Sequence, residues 1–92
     1  MTDFLMHDAQ DNVGVAVTEI KSGQVVEGVS LDRARTLKLT ALQDIPFGHK
    51  IALKDFKVGD TVLKYGVDIG RVIMEIKKGA HVHVHNLKTK RW

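Results

Sequence analysis

The chain contains no cysteine. That excludes disulfides, thiolate metal sites and a cysteine nucleophile. A secreted domain of only 92 residues often depends on disulfide staples. No N-terminal stretch pairs a basic region with an apolar run, so no signal peptide is expected. The expected location is therefore cytoplasmic. Apolar runs are a few residues long, which excludes a membrane-spanning helix, and no membrane partner is expected. Aromatic residues make up only 5% of the chain, and the net charge is a mild +3. A nucleic-acid binder would more often show a dense basic stripe with interleaved rings, so no nucleic-acid partner is expected. The cluster Lys88, Lys90 and Arg91 reads as a solvated tail. Helical periodicity is scarce as well. Asp32–Arg35 is too short to stand as a helix, and Asp55–Gly59 reads at most as a single helical turn.

What remains is a pattern of short strands. Val13, Val15 and Val17 alternate with Gly14 and Ala16. Leu37 and Leu39 alternate with Lys38 and Thr40. Ile51 and Leu53 alternate with Lys50, Ala52 and Lys54. Val82 and Val84 alternate with His81, His83 and His85. A period of two places one apolar face on a core and leaves the other in water. The expected fold is all-β: one domain over residues 1–92, a compact, barrel-like arrangement of short strands joined by brief 3₁₀ turns. A domain this short has little area in which to build a deep site, which makes a partner surface plausible from the outset.

A short internal repeat runs through the chain. Lys21-Ser22-Gly23-Gln24-Val25-Val26, Lys57-Val58-Gly59-Asp60-Thr61-Val62 and Lys77-Lys78-Gly79-Ala80-His81-Val82 share lysine, any residue, glycine, two further residues, then valine. Pro46-Phe47-Gly48-His49-Lys50-Ile51 is a looser fourth copy. The physical sense is a glycine turn feeding a strand, which is architecture rather than chemistry.

Chemistry-bearing groups gather beside these turns. If His81–Asn86 is a strand, His81, His83 and His85 share one face, each roughly 6–7 Å from the next. They can ligate a metal or donate hydrogen bonds to an anion; an exposed histidine face with no ligand is the plainer alternative. His49 and Lys50 follow Gly48 and point to opposite faces, with Lys50 able to pair with a carboxylate. Lys64 is a candidate anion binder. Tyr65, the one tyrosine, reads as packing rather than catalysis. His7 gains meaning only if the fold brings it near the other histidines. No nucleophile elbow, P-loop or dinucleotide fingerprint occurs, so a self-contained enzyme is not expected.

Taken together, these segments resemble the SAF domain of the altronate and galactarate dehydratase family. The resemblance rests on Gly48-His49-Lys50-Ile51-Ala52-Leu53, on Lys64-Tyr65-Gly66 with Ile69-Gly70, and on Gly79-Ala80-His81-Val82-His83-Val84-His85-Asn86. His7 ahead of Asp11-Asn12-Val13-Gly14-Val15-Ala16-Val17 extends it. The resemblance implies a β-clip fold and an iron-dependent lyase, with the location of the iron open. In single-chain members the domain precedes a larger catalytic domain. Asp44-Ile45-Pro46 and the ending Lys88-Thr89-Lys90-Arg91-Trp92 resemble a two-chain, carbon–sulfur-cleaving branch, which implies a hetero-oligomer with a large catalytic subunit and a small anionic hydroxy-acid substrate. His83, His85 and His49 are then the expected catalytic groups. Lys50, Lys64, Tyr65, Asn86 and His81 are the expected substrate-binding groups. A split sugar-acid dehydratase subunit and a non-catalytic module for anions or sugars are the alternatives.

Overall fold

A computed structural model describes residues 2–8 and 10–89. Lys90, Arg91 and Trp92 of the expected basic tail lie outside that range. Among the described residues nine strands follow in chain order: β1 (Phe4–Met6), β2 (Val13–Ala16), β3 (Val25–Ser30), β4 (Thr36–Thr40), β5 (Lys50–Ala52), β6 (Thr61–Lys64), β7 (Val67–Val72), β8 (His81–Val82) and β9 (Leu87–Thr89). They form a six-stranded sheet in the order β4-β3-β1-β2-β5-β8 and a three-stranded sheet β6-β7-β9. The β1–β3 pair is parallel; every other pair is antiparallel. The fold is all-β, as expected. No helix among the described residues is long and apolar enough to cross a membrane.

Two apolar clusters lie on opposite sides of the central strands. One is built on Phe4, Met6, Ile20, Val26, Ile45 and Ile51. The other is built on Val13, Phe56, Val62, Val72, Ile76 and Val82. Successive strand residues point to opposite faces, so Ile51 enters the first cluster and Ala52 the second. β2 divides the same way, with Val13 in the second cluster and Ala16 in the first. This corrects the expectation of one wet face on each of these strands. Gly14, Ala16 and Ala52 are buried while Val15 is only partly covered, because a strand between two cores has no outer face. The ring of Phe4 occupies the space that a side chain on Gly14 or Gly28 would need.

The repeat is the device that turns the chain. Lys21–Gln24, Pro46–His49, Lys57–Asp60 and Lys77–Ala80 are each closed by the fourth N–H donating to the first carbonyl, at 3.0, 3.0, 3.0 and 2.9 Å. The third residue of each is a glycine at positive φ: 86°, 85°, 94° and 90°. Glycine at the third position with φ above zero is the signature of a type II turn. No 3₁₀ segment occurs among the described residues, which corrects that expectation. Asp55–Gly59 is likewise a bridge residue, Phe56, followed by a turn rather than a helical turn. Each turn follows a buried residue held in an isolated antiparallel bridge, Ile20 with Ile45 and Phe56 with Ile76.

The four glycines differ in their surroundings, and this makes a prediction. A Cβ on Gly59 would meet nothing, whereas one on Gly79 would collide with the Thr40 carbonyl oxygen. Gly59→Ala should cost about 1 kcal/mol from the left-handed backbone alone, and Gly79→Ala roughly 2–3 kcal/mol once the collision is added. Denaturant unfolding of the two variants checks this; equal losses would show that the Thr40 contact has no weight.

Candidate functional site

Two of these turns deliver the histidines. Pro46–His49 ends on His49 and leads into β5, while Lys77–Ala80 leads into β8 at His81. The antiparallel register pairs Lys50 with Val82 and Ile51 with His81. This parity puts the backbone directions of His49, His81 and His83 on one face and those of Lys50 and Val82 on the other.

The strand expected over His81–Asn86 ends at Val82. Residues 83–86 form a turn, with the Asn86 and Leu87 N–H groups both donating to the His83 carbonyl, at 3.1 and 3.0 Å. Val84 sits on that turn and is 73% exposed, which corrects its assignment to the core. Asn86 is the reason. Its Oδ1 accepts from the His83 N–H at 3.0 Å, and its Nδ2 donates to the His81 carbonyl at 2.8 Å. A short amide that answers the backbone on both sides outcompetes continuation of the strand. Asn86 is buried, so the structure places this expected substrate contact inside the turn that shapes the site.

The turn curls the imidazoles together. Ring centroids are 5.0 Å apart for His49–His81, 4.1 Å for His49–His83 and 5.6 Å for His81–His83, with the planes near parallel. His85 tilts against His81 at 5.2 Å and is exposed. His49 Nδ1 and His81 Nε2 stand 2.8 Å apart, so one carries the shared proton. His83 Nδ1 is buried with no hydrogen-bond partner. One ring nitrogen from each of His49, His81 and His83 lies within 4.8 Å of the others.

Three imidazoles around one point suit a divalent first-row transition metal, iron among them. The partnerless nitrogen on His83 is what such a site leaves when the cation is taken away. Neutral rings are required for ligation, and the surroundings favour the neutral form of His81 and His83. Burial, then the neighbouring His49, His85, His83 and Lys50, push the His81 pKa down to about 4. Burial, then His49, Lys50 and His85, lower that of His83.

The linkage has a definite sign. At pH values between about 4 and 6.5 the unfolded chain binds a proton at His81 that the folded chain does not. Stability therefore rises with pH across that window. The metal-free chain should melt progressively lower as the pH falls from 6.5 toward 4, and His81→Gln should flatten that part of the profile. A wild-type profile already flat there would refute the assignment.

The lysines stand apart from this cluster. Lys50 is half-buried, and its pKa is lowered by burial and then by the positive charge of Lys64. Lys50 thus couples electrostatically to the histidines on one side and to Lys64 on the other. Lys64 Nζ lies 4.9 Å from the centroid of the Tyr65 ring. Tyr65 packs on His7 at 3.8 Å between centroids, yet it is 46% exposed, not enclosed. His7 therefore joins the Lys64–Tyr65 group and not the histidine triad.

A residue that entered the sequence analysis only within the Asp11–Val17 stretch of the family resemblance organises that second group. Asp11 is 2% exposed, and its carboxylate accepts backbone N–H groups from His7, Asp8, Tyr65 and Gly66 at 3.1, 3.2, 2.9 and 2.8 Å. It ties the β1–β2 loop to the β6–β7 hairpin tip.

The fold and site thus define an all-β domain that gathers three imidazoles beside Lys50. The chain matches the altronate/galactarate dehydratase SAF domain over residues 2–90, and it belongs to that family. It is 53% identical over 91 residues to the (2R)-sulfolactate sulfo-lyase subunit alpha of Chromohalobacter salexigens, covering 98% of this chain and 97% of that one. It is 60% identical over 55 residues to the subunit of the same name from Paracoccus pantotrophus, covering 60% of this chain and 82% of that one. It is also 40% identical over 91 residues to the altronate dehydratase of Bacillus subtilis, matching 97% of this chain but 17% of that protein. The names of the first two indicate a lyase subunit, and "alpha" implies a companion subunit.

Proposed function

We propose that this chain is the small subunit of a two-chain carbon–sulfur lyase that converts (2R)-3-sulfolactate to pyruvate and sulfite. The end-to-end match to a named alpha subunit carries this reading, and the convergent imidazoles supply its chemistry. The reaction removes the proton at C2 and expels sulfite from C3, breaking the C–S bond. The resulting enol becomes pyruvate by taking up a proton at C3. Negative charge builds on the carboxylate side as the C2 proton leaves.

His49, His81 and His83 are the residues that would hold iron(II). When bound, such an ion supplies Lewis-acid stabilisation of that charge. The chain's own residues do the rest of its share. Lys50 and Lys64 provide a positive field for a substrate bearing both carboxylate and sulfonate. His85 is exposed beside the triad and can hold or move a proton at its free ring nitrogen. Tyr65, on the hairpin tip next to Lys64, borders the same field. The companion subunit closes the site, which in this chain alone is open to water, and can furnish the base.

A second reading, the small subunit of a split sugar-acid dehydratase, is favoured by the 40% identity to altronate dehydratase. It differs in expelling hydroxide instead of sulfite. The purified two-chain enzyme decides between them. Sulfite release from (2R)-3-sulfolactate is the expected result; a 2-keto-3-deoxy acid from altronate or galactarate, with no sulfite, would overturn it.

A further inference from the structure

Beside the histidine turn the surface is unusually apolar. Leu42, Ile73, Met74 and Val84 are all exposed, Met74 at 55%. They belong to two neighbouring hollows. The first, about 370 Å³, is lined by Leu42, Met74 and Ile76 and reaches His85 and Asn86. The second, about 240 Å³, is lined by Ile73, Val84 and Leu87. Ile73 and Met74 are consecutive, so the hollows share a ridge, and the Ile73 N–H donates to the Asn86 carbonyl at 2.9 Å. Lys77 and Glu75, an ion pair at 3.5 Å, edge the first hollow, and Lys88 edges the second. An apolar centre with a charged rim is the anatomy of a protein interface.

We infer that this strip is the seat of the catalytic subunit, an inference that rests on the two-chain reading above. Three observations choose this occupant. The strip runs into the turn that carries His83 and His85, so whatever covers it also walls the imidazoles from water. The Bacillus altronate dehydratase contains the matched stretch as 17% of one chain, so a family member pairs this domain with a far larger body. Lys88, at the rim of the second hollow where no acidic side chain of this chain lines it, calls for a carboxylate on the partner. The catalytic subunit therefore presents an apolar ridge with a carboxylate facing Lys88, and docking and completion of the site are one event.

The test is assembly, read separately from turnover. The chain and its companion subunit are mixed and their affinity is measured by analytical ultracentrifugation. Met74→Glu and Val84→Glu are expected to weaken association at least about a hundredfold, as burying an unpaired charge at an interface centre does, with circular dichroism unchanged. Val67→Glu is the control: it is equally exposed but lies six residues from Ile73 along β7, about 20 Å if extended. It should assemble normally. A measurement free of substitution accompanies these. Met74 should oxidise with peroxide in the free chain and be protected in the complex, whereas Met6 is buried in both.

Assembly unimpaired in both glutamate variants, or Met74 oxidised equally in the complex, would overturn the inference. So would loss of self-association alone, which would make a second copy the occupant. A wild-type complex that forms through this face but releases no sulfite would leave the inference standing and remove the proposed reaction.

Discussion

Alanine at both His81 and His83 should lower turnover of the assembled enzyme by about a hundredfold or more and abolish tight binding of a divalent metal, while leaving the fold intact. The physical case rests on the triad geometry. Ring nitrogens of His49, His81 and His83 converge within 4.8 Å, and removing two of them leaves one ligand. The fold survives because neither ring belongs to the two apolar clusters, and His83 Nδ1 makes no hydrogen bond to lose. Their main-chain groups, which Asn86 engages, are unchanged by the substitution. His85→Ala separates the roles. It should retain the metal and alter the pH dependence of turnover, since His85 lies outside the triad. Metal content of the purified chain and steady-state sulfite release are the two measurements. Wild-type turnover in the His81/His83 double variant would remove the triad from the mechanism.

How much of this was legible in the residues varies with the kind of interaction. Period-two alternation found β4 and the start of β8, because each has one wet face. It misread β2 and β5 because they lie between two cores, and buried glycine and alanine look like the polar half of an alternation. The glycine repeat was legible and correctly assigned to architecture. Its service to the site was not, since nothing local shows that two copies of the turn feed one antiparallel pair. The histidine row was conspicuous, yet it comes together across two paired strands and a turn rather than along one strand. His49 meets His81 and His83 through a register spanning 32 residues, and Asn86 curls the chain after Val82. Side-chain-to-backbone bonds of that kind leave no trace in hydrophobic periodicity. Family resemblance singled out His49, His81, His83 and His85 without the geometry that gathers them.

Asp11 is the sharpest case of a residue hidden from the sequence, and its replacement carries the second large effect. Asp11→Ala should destabilise the chain by about 4 kcal/mol, because it strands several partly buried N–H groups that bond a charged acceptor. At 4–8 °C per kcal/mol for a domain of this size, that is a fall of roughly 20 °C in melting temperature. The bonded groups explain why. His7 and Asp8 are neighbours in sequence, but Tyr65 and Gly66 are the tip of the β6–β7 hairpin, 54 and 55 residues away. Both tip residues have positive φ, 58° and 72°, and tyrosine tolerates that conformation only under constraint. Asn12 reinforces the joint, donating to the Thr61 carbonyl and accepting from the Leu63 N–H. Burial by itself would raise the Asp11 pKa; the N–H groups of Gly66, Tyr65, Asp8 and His7 together outweigh it and hold the carboxyl below its ordinary value. A folded pKa below the unfolded one means the clamp is fully effective above about pH 3.9 and is lost as the pH falls through the lower folded value. Asp11→Asn should keep part of the stability, since an amide oxygen still accepts, but lose this acid dependence. Thermal melts of the wild type and both variants across acid pH check all three statements, and an alanine variant as stable as wild type would refute the clamp. The consequence for function follows from what the tip carries. Lys64 and Tyr65 hold their places beside the Lys50 field only while Asp11 binds the hairpin, so a loosened tip should raise KM for the anionic substrate before it alters the chemical step.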